Sequence, residues 1–380
     1  MKLFSTHGQN DLSLNDESIN LGALTSIKLP KSLVQNASRA FSTRRADLTL
    51  AKNLITAGVR PQAGDLVLAR VSRIGHHARL ELPNGRRARM FVGDEIIVTY
   101  GNRYATDQFE SLVPEQIGPC HLVAGGGIAS NVISKSKGVK RATDIEPLGI
   151  LAAEDNTPLN VSQFALADAP TMAAPRPLVL CMVGTSMNAG KTTAAADIIR
   201  GLRSSGLNVA AAKITGTGAG GDYWHFTDAG AQEVVDFTDA GYASTYMMDT
   251  PSILNASQHL INHLFIKQPD VIILEVADGL LQRETRPLLM SDTFKNMIDG
   301  MFFATGDAMG AISGADWLQN QGYPVIGLCG MMTRSEINAA EARDATGLPV
   351  LTRAMLTDGN ILTPMVYKAH QAASRIGKAI

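Results

Sequence analysis

The sequence is poor in the features that mark several specialised classes of protein. It contains 3 cysteines in 380 residues, and Cys120, Cys181 and Cys329 are widely spaced. An odd and scattered set of this kind indicates neither a disulfide framework nor a zinc cluster, and we expect a reducing, cytoplasmic setting. No apolar run approaches the length of a bilayer span, and residues 1–10 lack the apolar core of a signal peptide. We therefore expect no insertion into a membrane.

The chain also lacks an excess of charge of either sign. Its 34 lysines and arginines nearly balance its 35 aspartates and glutamates, which gives a net charge of −1. A dedicated nucleic-acid binder normally carries a basic excess on at least one domain, so we expect no nucleic-acid partner. With 45% hydrophobic and 18% charged residues, the chain has the composition of a soluble globular protein that is long enough for two domains.

The most informative stretch is residues 184–193, Gly-Thr-Ser-Met-Asn-Ala-Gly-Lys-Thr-Thr. It follows a continuous apolar run at 178–183, predicted as a buried parallel strand, and leads into an alanine-rich segment at 191–205, predicted as a helix. A glycine-rich turn in this position lets successive N–H groups point at phosphate oxygens, and the start of the helix adds partial positive charge. The stretch therefore predicts a nucleoside triphosphate site.

Individual residues of this loop have expected roles. Lys191 would reach the β and γ phosphates as a point charge, and the Thr192 hydroxyl would coordinate a Mg²⁺ ion. No Asn-Lys-x-Asp element for reading guanine occurs at 327–334, so ATP is favoured over GTP. The residues predicted to bind the cofactor are Gly184, Thr185, Ser186, Asn188, Ala189, Gly190, Lys191, Thr192 and Thr193.

The loop departs from the common pattern G-x-x-x-x-G-K-[ST], which asks for glycine where this chain has Thr185. The loop has Gly-Thr-Ser at 184–186, then three residues, then Gly-Lys-Thr at 190–192. This pattern resembles the loop of dethiobiotin synthetase and its cobyrinic acid a,c-diamide synthase relatives. It also resembles the loop of the uncharacterised P-loop family called DUF1611. The resemblance covers mainly residues 178–280 and implies transfer of a phosphoryl group from ATP, with Mg²⁺, to a carboxylate or carbamate.

The first half of the chain predicts a smaller, β-rich unit. Residues 42–57 are typical of a helix, and alternating apolar stretches at 65–71, 77–82, 87–92 and 95–100 predict antiparallel strands, with Asn84-Gly85 in a hairpin turn. We expect an N-terminal α+β domain at 1–166 with a small β-barrel or sandwich at about 62–120, followed by a linker at 167–177. The glycines of 124–129 and the lysines of 134–141 are predicted as loops, with a second substrate surface as the alternative.

From residue 178 onward, apolar strands alternate with helical segments. Further strands are predicted at 207–214, 270–276, 300–305, 324–328 and 349–351. This rhythm predicts an α/β domain at 178–380, with a doubly wound, mostly parallel sheet. Ligands of such sheets bind at the carboxyl ends of the strands.

Two residues at the ends of predicted strands are candidates to act with Lys191. Glu275 could hold Mg²⁺ or its water shell, with Asp278 as the alternative, and the resemblance favours Glu275 because residues 275–279 partly match the Glu-Gly-Ala-Gly element of the dethiobiotin synthetase group. Lys213 could stabilise charge on a transferred phosphoryl group. A lysine after the second strand is also a feature of that group, and a solvated strand-end lysine is the other interpretation.

A further acidic ligand for the metal is expected after the second strand. The resemblance points to Asp228, while Asp222 and Asp236 compete for the role. Arg283 could bind phosphate or a substrate carboxylate, or it could be exposed.

These observations lead to a first hypothesis of an ATP- and Mg²⁺-dependent enzyme, either synthetase-like or an ATPase. It would transfer the γ-phosphoryl group to a small acid and so activate that acid for ligation. The catalytic residues would be Lys191, Lys213 and Glu275. The metal ligands would be Thr192, Glu275 and Asp228. The alternative is a nucleotide switch that hydrolyses ATP or GTP to control a protein partner. A third hypothesis is a module that binds the triphosphate only as a structural ligand. The sequence leaves open whether the chain forms a homo-oligomer.

Overall fold

Two large β-sheets organise the molecule. The computed structural model describes residues 21–169 and 176–375. One sheet is built from strands within residues 25–152, and the other from strands within residues 178–329. Part of the expected linker, residues 170–175, lies outside the described residues.

The N-terminal part consists mainly of short strands. It also contains the helix α1 (Lys31–Asn36) and 3-10 turns at Phe41–Thr43, Leu48–Leu50 and Val161–Phe164. The strands are β1 (Thr25–Lys28), β2 (Ser38–Arg39), β3 (Asn53–Ala57), β4 (Leu66–Arg73), β5 (Arg79–Glu81), β6 (Arg87–Arg89), β7 (Glu95–Tyr100), β8 (Arg103–Tyr104), β9 (Phe109–Leu112), β10 (Cys120–Ala124), β11 (Ile128–Lys135) and β12 (Thr143–Ala152).

Five of these strands pair in a closed circuit. β4 pairs with β7, β7 with β11, β11 with β10, β10 with β12, and β12 returns to β4. Side chains from these strands, among them Val67, Val98 and Ile145, are buried together in one core. The strands β10, β11 and β12 come from residues 120–152, so the circuit extends beyond the stretch at about 62–120 in which the sequence placed a barrel or sandwich.

The predicted helix at residues 42–57 is wrong. This segment forms two 3-10 turns followed by β3, which pairs with β1 and β12. Leu54 and Ile55 are buried in the sheet. Packing against neighbouring strands therefore overrides the local pattern that favoured a helix.

The turn at Asn84-Gly85 is confirmed as a hairpin. β5 and β6 pair antiparallel on either side of it, and Gly85 adopts a φ of +83°, which a residue without a Cβ takes without strain. The glycine-rich stretch 124–129 is not a flexible loop as predicted, because it forms the tight turn between the paired strands β10 and β11.

The C-terminal part alternates strands with helices. Its strands are β13 (Leu178–Gly184), β14 (Val209–Lys213), β15 (Glu233–Asp236), β16 (Val271–Glu275), β17 (Gly300–Ala304) and β18 (Val325–Cys329). Its helices are α2 (Lys191–Ser204), α3 (Gly221–Asp228), α4 (Thr250–Phe265), α5 (Thr285–Met290), α6 (Asp292–Met297), α7 (Ala308–Asn320), α8 (Glu336–Thr346), α9 (Arg353–Thr357) and α10 (Gly359–Arg375), with a 3-10 turn at Met331–Arg334.

The second sheet is parallel throughout, in the order β15-β14-β16-β13-β17-β18. Apolar residues of α2, α3, α9 and α10 pack on one face, and those of α4 to α8 pack on the other. This arrangement confirms the α/β prediction of a doubly wound sheet. The expected strand at 349–351 is reduced to a single bridge between Leu328 and Val350, and β15 is an addition to the predicted set.

The N-terminal sheet lies against the loops at the carboxyl ends of the parallel strands. Arg44 donates hydrogen bonds to Asp239 at 2.5 Å and to Asp236, the last residue of β15, at 3.2 Å. Gly220, which precedes α3, donates through its backbone N–H to Glu81 of β5 at 2.9 Å. In residues 21–169 and 176–375, no helix has both the length and the apolar character needed to cross a membrane.

Candidate functional site

The loop between β13 and α2, residues 184–190, shows why glycine is required at both of its ends. Gly190 is the N-cap of α2 and has a φ of +100°, a conformation that other residues rarely adopt. A Cβ on Gly184 would lie 2.8 Å from the backbone oxygen of Ala304 and 2.8 Å from Cγ of Lys191. The two glycines therefore allow the chain to turn tightly between a buried strand and a buried helix.

The turn leaves a row of backbone N–H groups without partners. Among the described residues, the amides of residues 186–188 and 190–193 donate no hydrogen bond. The last four of these belong to the N-cap and first turn of α2, where the helix dipole adds partial positive charge. A concave set of free N–H groups at a helix start is a site for an anion.

Lys191 lies over this row of amides. Its side chain is buried, with 6% of the residue exposed, and its ammonium donates a hydrogen bond of 2.8 Å to the backbone oxygen of Ser186. Burial lowers the pKa of Lys191, and the nearby carboxylates of Glu275 and Asp278 oppose that shift. A buried ammonium that is held on its own loop can exchange the carbonyl for a phosphate oxygen at little cost in reorganisation.

Thr192 and Glu275 meet beside the loop. The Thr192 hydroxyl donates a hydrogen bond of 2.9 Å to Oε1 of Glu275, the last residue of β16. Glu275 is 2% exposed, and its Oε2 atom has no hydrogen-bond partner among the described residues. A buried carboxylate oxygen that lacks a partner, next to a threonine hydroxyl, is the donor set that Mg²⁺ uses beside a triphosphate, so the residues present fit the ion.

The structure brings Lys213 to the same edge of the sheet. Lys213 ends β14 and pairs in register with Glu275 of β16 and with Asp236 of β15. Its ammonium forms an ion pair with Asp222, in the first turn of α3. Lys213 is therefore neither free nor fully solvated, which sets aside the interpretation of an isolated surface lysine.

The three aspartates expected to compete for the metal occupy different places. Asp222 lines the cavity next to the loop, together with Lys213 and Glu275. Asp236 is buried against Arg44. Asp228 is exposed at the last residue of α3 and is absent from the lining of that cavity, so its position does not support the role of metal ligand.

A cavity of about 550 Å³, here called the loop cavity, unites these residues. Arg334 and Met331, from the 3-10 turn after β18, form its far wall. Arg283 is exposed and does not line it. The sequence did not identify Arg334 as a site residue. Its position in the cavity depends on where β18 lies in the sheet, and residues 327–334 contain no motif that indicates this. The lining consists of Met187, Asn188, Gly190, Lys191, Thr192, Thr193, Lys213, Asp222, Glu275, Ala277, Asp278, Met331 and Arg334.

A smaller cavity of about 210 Å³, here called the side cavity, opens from the loop cavity past Gly190 and Thr193. Leu351 and Leu356 give it an apolar wall. Arg353 lies at its edge, fixed by hydrogen bonds of 2.7 and 3.0 Å to Asp197. An apolar slot beside a phosphate loop suits the flat ring of a base.

A third cavity of about 610 Å³, here called the intersheet cavity, lies between the two sheets. Arg79, Arg87, Arg103 and His77 line it from the N-terminal side, and residues 216–217 after β14 line it from the other. It shares four lining residues with the loop cavity: Met187, Lys213, Ala277 and Asp278. The two spaces are therefore neighbours that meet at the carboxyl ends of β14 and β16.

Asp278 stands where the loop cavity and the intersheet cavity meet. It has a φ of +63°, an uncommon conformation for a residue other than glycine. Burial raises the pKa of Asp278, and the charges of Lys191 and Lys213 oppose that shift. The sequence indicates Asp278 only as a substitute for Glu275, whereas in the structure each carboxylate has its own position.

Comparisons with known proteins give a distant structural likeness. No family model and no curated protein matches the chain. It is similar to the 54 kDa protein of the signal recognition particle from Aeropyrum pernix K1, solved in complex with GDP, at 15% identity and a TM-score of 0.36, over 53% of this chain and 50% of that one. It is also similar to chloroplast FtsY from Physcomitrella patens, at 14% identity and a TM-score of 0.36, over 55% of this chain and 70% of that one.

The chain thus spans half the length of the first of these relatives. Because the likeness is this weak, we take the function from the geometry of the site.

Proposed function

We propose that this protein binds a nucleoside triphosphate with Mg²⁺ and transfers its γ-phosphoryl group to a small acid. The observation that carries nucleotide binding is the row of amides at residues 186–188 and 190–193, which have no partner within residues 21–169 and 176–375 and lie next to the buried ammonium of Lys191. Such a row at a helix N-terminus binds phosphate oxygens, and the adjoining side cavity has room for a base.

Five side chains of the loop cavity have a role in this proposal. Lys191 binds β- and γ-phosphate oxygens, and Lys213 stabilises charge that develops on the transferred group. Thr192 and Glu275 hold Mg²⁺ or its water shell, where the ion would neutralise phosphate charge. Asp222 takes the place in the metal's surroundings that the sequence assigned to Asp228, because it is Asp222 that lines the cavity.

The acceptor would enter through the intersheet cavity. A carboxylate oxygen of the acid attacks the γ-phosphorus, the bond from that phosphorus to the β–γ bridging oxygen breaks, and the electron pair leaves with the nucleoside diphosphate. The product is an acyl phosphate, which an amine can attack to form an amide and release phosphate. The continuity of the two cavities at Lys213 and Asp278 supports transfer to an acceptor, as does the resemblance of the loop to dethiobiotin synthetase.

A nucleotide switch is the second candidate, and one contact favours it. The side-chain amide of Asn188 in the loop donates a hydrogen bond of 3.0 Å to Asp107, in the turn between β8 and β9 of the other sheet. A triphosphate that repositions Asn188 would alter this contact and so report the state of the nucleotide to the N-terminal sheet.

Product analysis of the full chain separates these functions. The protein is incubated with Mg²⁺, with ATP or GTP, and with a panel of small mono- and dicarboxylic acids plus hydroxylamine, which traps acyl phosphates. Hydroxamate formed in proportion to the nucleoside diphosphate supports phosphoryl transfer to an acid. Nucleotide hydrolysis that no acid changes and that yields no hydroxamate overturns the transfer proposal in favour of the switch, and the absence of turnover with either nucleotide overturns both.

A further inference from the structure

Arg103 is a buried cation that forms no salt bridge within the part of the chain that the structure describes. It lies on β8, is 8% exposed, and lines the intersheet cavity. One of its terminal nitrogens donates to Oε1 of Gln108 at 2.8 Å, and the other lies 3.4 Å from Nε2 of His77. Its Nε atom has no hydrogen-bond partner, and its guanidinium forms no ion pair with a carboxylate among the described residues.

This arrangement lowers the stability of the folded protein unless a bound anion neutralises Arg103. A buried charge without a counter-ion loses hydration that neutral hydrogen bonds replace only in part. Elsewhere in the described residues, the half-buried arginines Arg44, Arg73 and Arg176 have aspartate partners. Arg39, also half-buried, instead donates to the backbone oxygens of Thr43 and Ala46. Arg103 instead lines a cavity and forms no salt bridge among the described residues, so only the more distant carboxylates of Asp107 and Asp278 act on its charge.

Arg103 stays cationic in a cavity that the carboxylates of Glu81 and Asp278 also line. Burial and the neighbouring Arg103 charge lower the pKa of His77 to about 3, so His77 is neutral near neutral pH and adds no competing charge. Burial also lowers the pKa of Arg103, to about 10, although Asp107 and Asp278 raise it. The guanidinium is therefore protonated under ordinary conditions and is held at a higher energy than in water.

Arg79 adds a second cation at the mouth of the same cavity. It is exposed on β5 and stands directly opposite Arg89 of β6 in the hairpin register. Like charges in this relation repel each other. Neither of these two arginines has an ion-pair partner among the described residues. An anion bound beside Arg79, which lines the cavity, would offset the repulsion.

We propose that the intersheet cavity is a carboxylate site in which the guanidinium of Arg103 anchors one carboxylate of the acceptor and Arg79 attracts the anion at the entrance. A planar guanidinium binds a carboxylate through two parallel hydrogen bonds, which also fixes its orientation. The assignment of this anion as the phosphoryl acceptor rests on the proposed function, whereas anion binding by Arg103 does not.

Ligand titration of the full chain without nucleotide or metal tests the site. The probes are succinate, its monoamide succinamate and its neutral diamide succinamide, which share a carbon skeleton and differ in charge, with inorganic phosphate as a separate arm. They are titrated by calorimetry into the wild type, Arg103→Gln, Arg103→Lys, Arg79→Gln and Lys191→Ala. Thermal unfolding of each variant is recorded alongside.

We expect succinate and succinamate to bind the wild type and succinamide not to bind. Arg103→Gln weakens succinate binding by about tenfold or more, the scale of a lost charge-assisted hydrogen bond, and Arg103→Lys restores part of the loss. Lys191→Ala weakens phosphate binding more than succinate binding, because phosphate prefers the loop cavity.

Equal affinity for succinate and succinamide, no succinate binding at millimolar concentration, or unchanged binding by Arg103→Gln would each overturn the proposal. Loss of succinate binding in Lys191→Ala but not in Arg103→Gln would also overturn it, because the anion would then lie in the glycine-rich loop. If Arg103→Gln does not fold, the test uses Arg79→Gln instead. A fall of about threefold in its affinity for succinate supports the proposal, and an unchanged affinity overturns it. Succinate binding by a protein that binds no nucleotide would refute the proposed function while leaving the carboxylate site standing.

Discussion

The hydroxyl of Thr192 donates a hydrogen bond of 2.9 Å to Glu275, at the carboxyl end of the neighbouring strand. This contact joins the first turn of α2 to the end of β16, and the second carboxylate oxygen of Glu275 is buried with no partner in the described part of the chain. It is the feature of the site that most directly indicates a divalent cation.

Replacing Glu275 by Gln tests the metal assignment. The amide still accepts the Thr192 hydrogen bond but supplies no negative charge, so we expect nucleotide affinity in the presence of Mg²⁺ to fall by about tenfold or more. Affinity without Mg²⁺ should be unchanged. The measurement is a titration of nucleotide at a series of Mg²⁺ concentrations. Asp228→Asn, at the exposed end of α3, is the matched control and should behave as wild type; a Glu275→Gln titration that coincides with the wild type would remove Glu275 from the metal site.

Lys191→Ala should reduce turnover by about a hundredfold or more, because a preorganised cation at the transferred phosphate is lost. The comparison is with Lys267→Ala, which removes a lysine whose side chain is 55% exposed and lies 4.0 Å from Glu233. Steady-state release of nucleoside diphosphate measures both. Turnover of Lys191→Ala within threefold of the wild type would show that another group stabilises the phosphate charge.

Arg44→Ala should destabilise the contact between the two sheets. The guanidinium is paired with Asp236 and Asp239 and lies 4.1 Å from the centre of the Phe41 ring, with 12% of its side chain exposed. Its removal leaves the buried carboxylate of Asp236 without its counter-charge and leaves Asp239 with Arg45 alone, at 3.8 Å. We expect a loss of about 3 kcal/mol in the free energy of unfolding. Denaturant unfolding provides the measurement.

The control for that measurement is Arg60→Ala, since Arg60 pairs with Glu115 on the surface and both side chains are more than half exposed. It should change the free energy of unfolding by less than about 1 kcal/mol. Equal effects of the two substitutions would contradict a structural role for Arg44 between the sheets.

The three cysteines should be unreactive in the folded protein. All of them are buried, and burial raises the pKa of the Cys120 and Cys329 thiols to about 12 and raises the pKa of Cys181 as well. Since the thiolate is the reactive form, we expect no reaction with a disulfide reagent at neutral pH until the protein unfolds, when 3 thiols become available. Rapid labelling of one thiol in the native state would reveal a cysteine suited to chemistry.

Succinate binding should be independent of pH between about 6.5 and 8.5 and should weaken as the pH approaches the pKa of Arg103, about 10. The charged guanidinium is the binding form, so deprotonation removes affinity, while bound anion raises the pKa of Arg103 and moves the loss to higher pH. His77 has a pKa of about 3, and burial also lowers the pKa of His76. An inflection near pH 6.5 would show that a histidine supplies the charge.

The sequence predicts the parts of the site that depend on neighbours along the chain. The strand, turn and helix around Lys191 are coded within residues 178–204, and the ends of β14 and β16 follow from short apolar runs that stop at Lys213 and Glu275. Parallel strands bring such ends together at one edge of a sheet, so the sequence alone is enough to group these residues.

The features that the sequence missed depend on contacts between distant segments. Whether Asp222 or Asp228 reaches the cavity depends on where α3 begins, because the two residues lie at opposite ends of that helix. Arg103 and Arg334 approach from the N-terminal sheet and from the turn after β18, and neither carries a local motif. The strand β3 was predicted as a helix because its pairing with β1 and β12 is not visible in its own residues.

The most direct test of the account is a calorimetric titration of the full chain with the non-hydrolysable β,γ-imido analogue of ATP in the presence of Mg²⁺, repeated with the GTP analogue. We expect saturable binding at one site by the wild type, about a hundredfold weaker binding by Lys191→Ala, and a clear loss of affinity when Mg²⁺ is withdrawn. A folded wild-type protein that binds neither analogue at millimolar concentration would contradict the account.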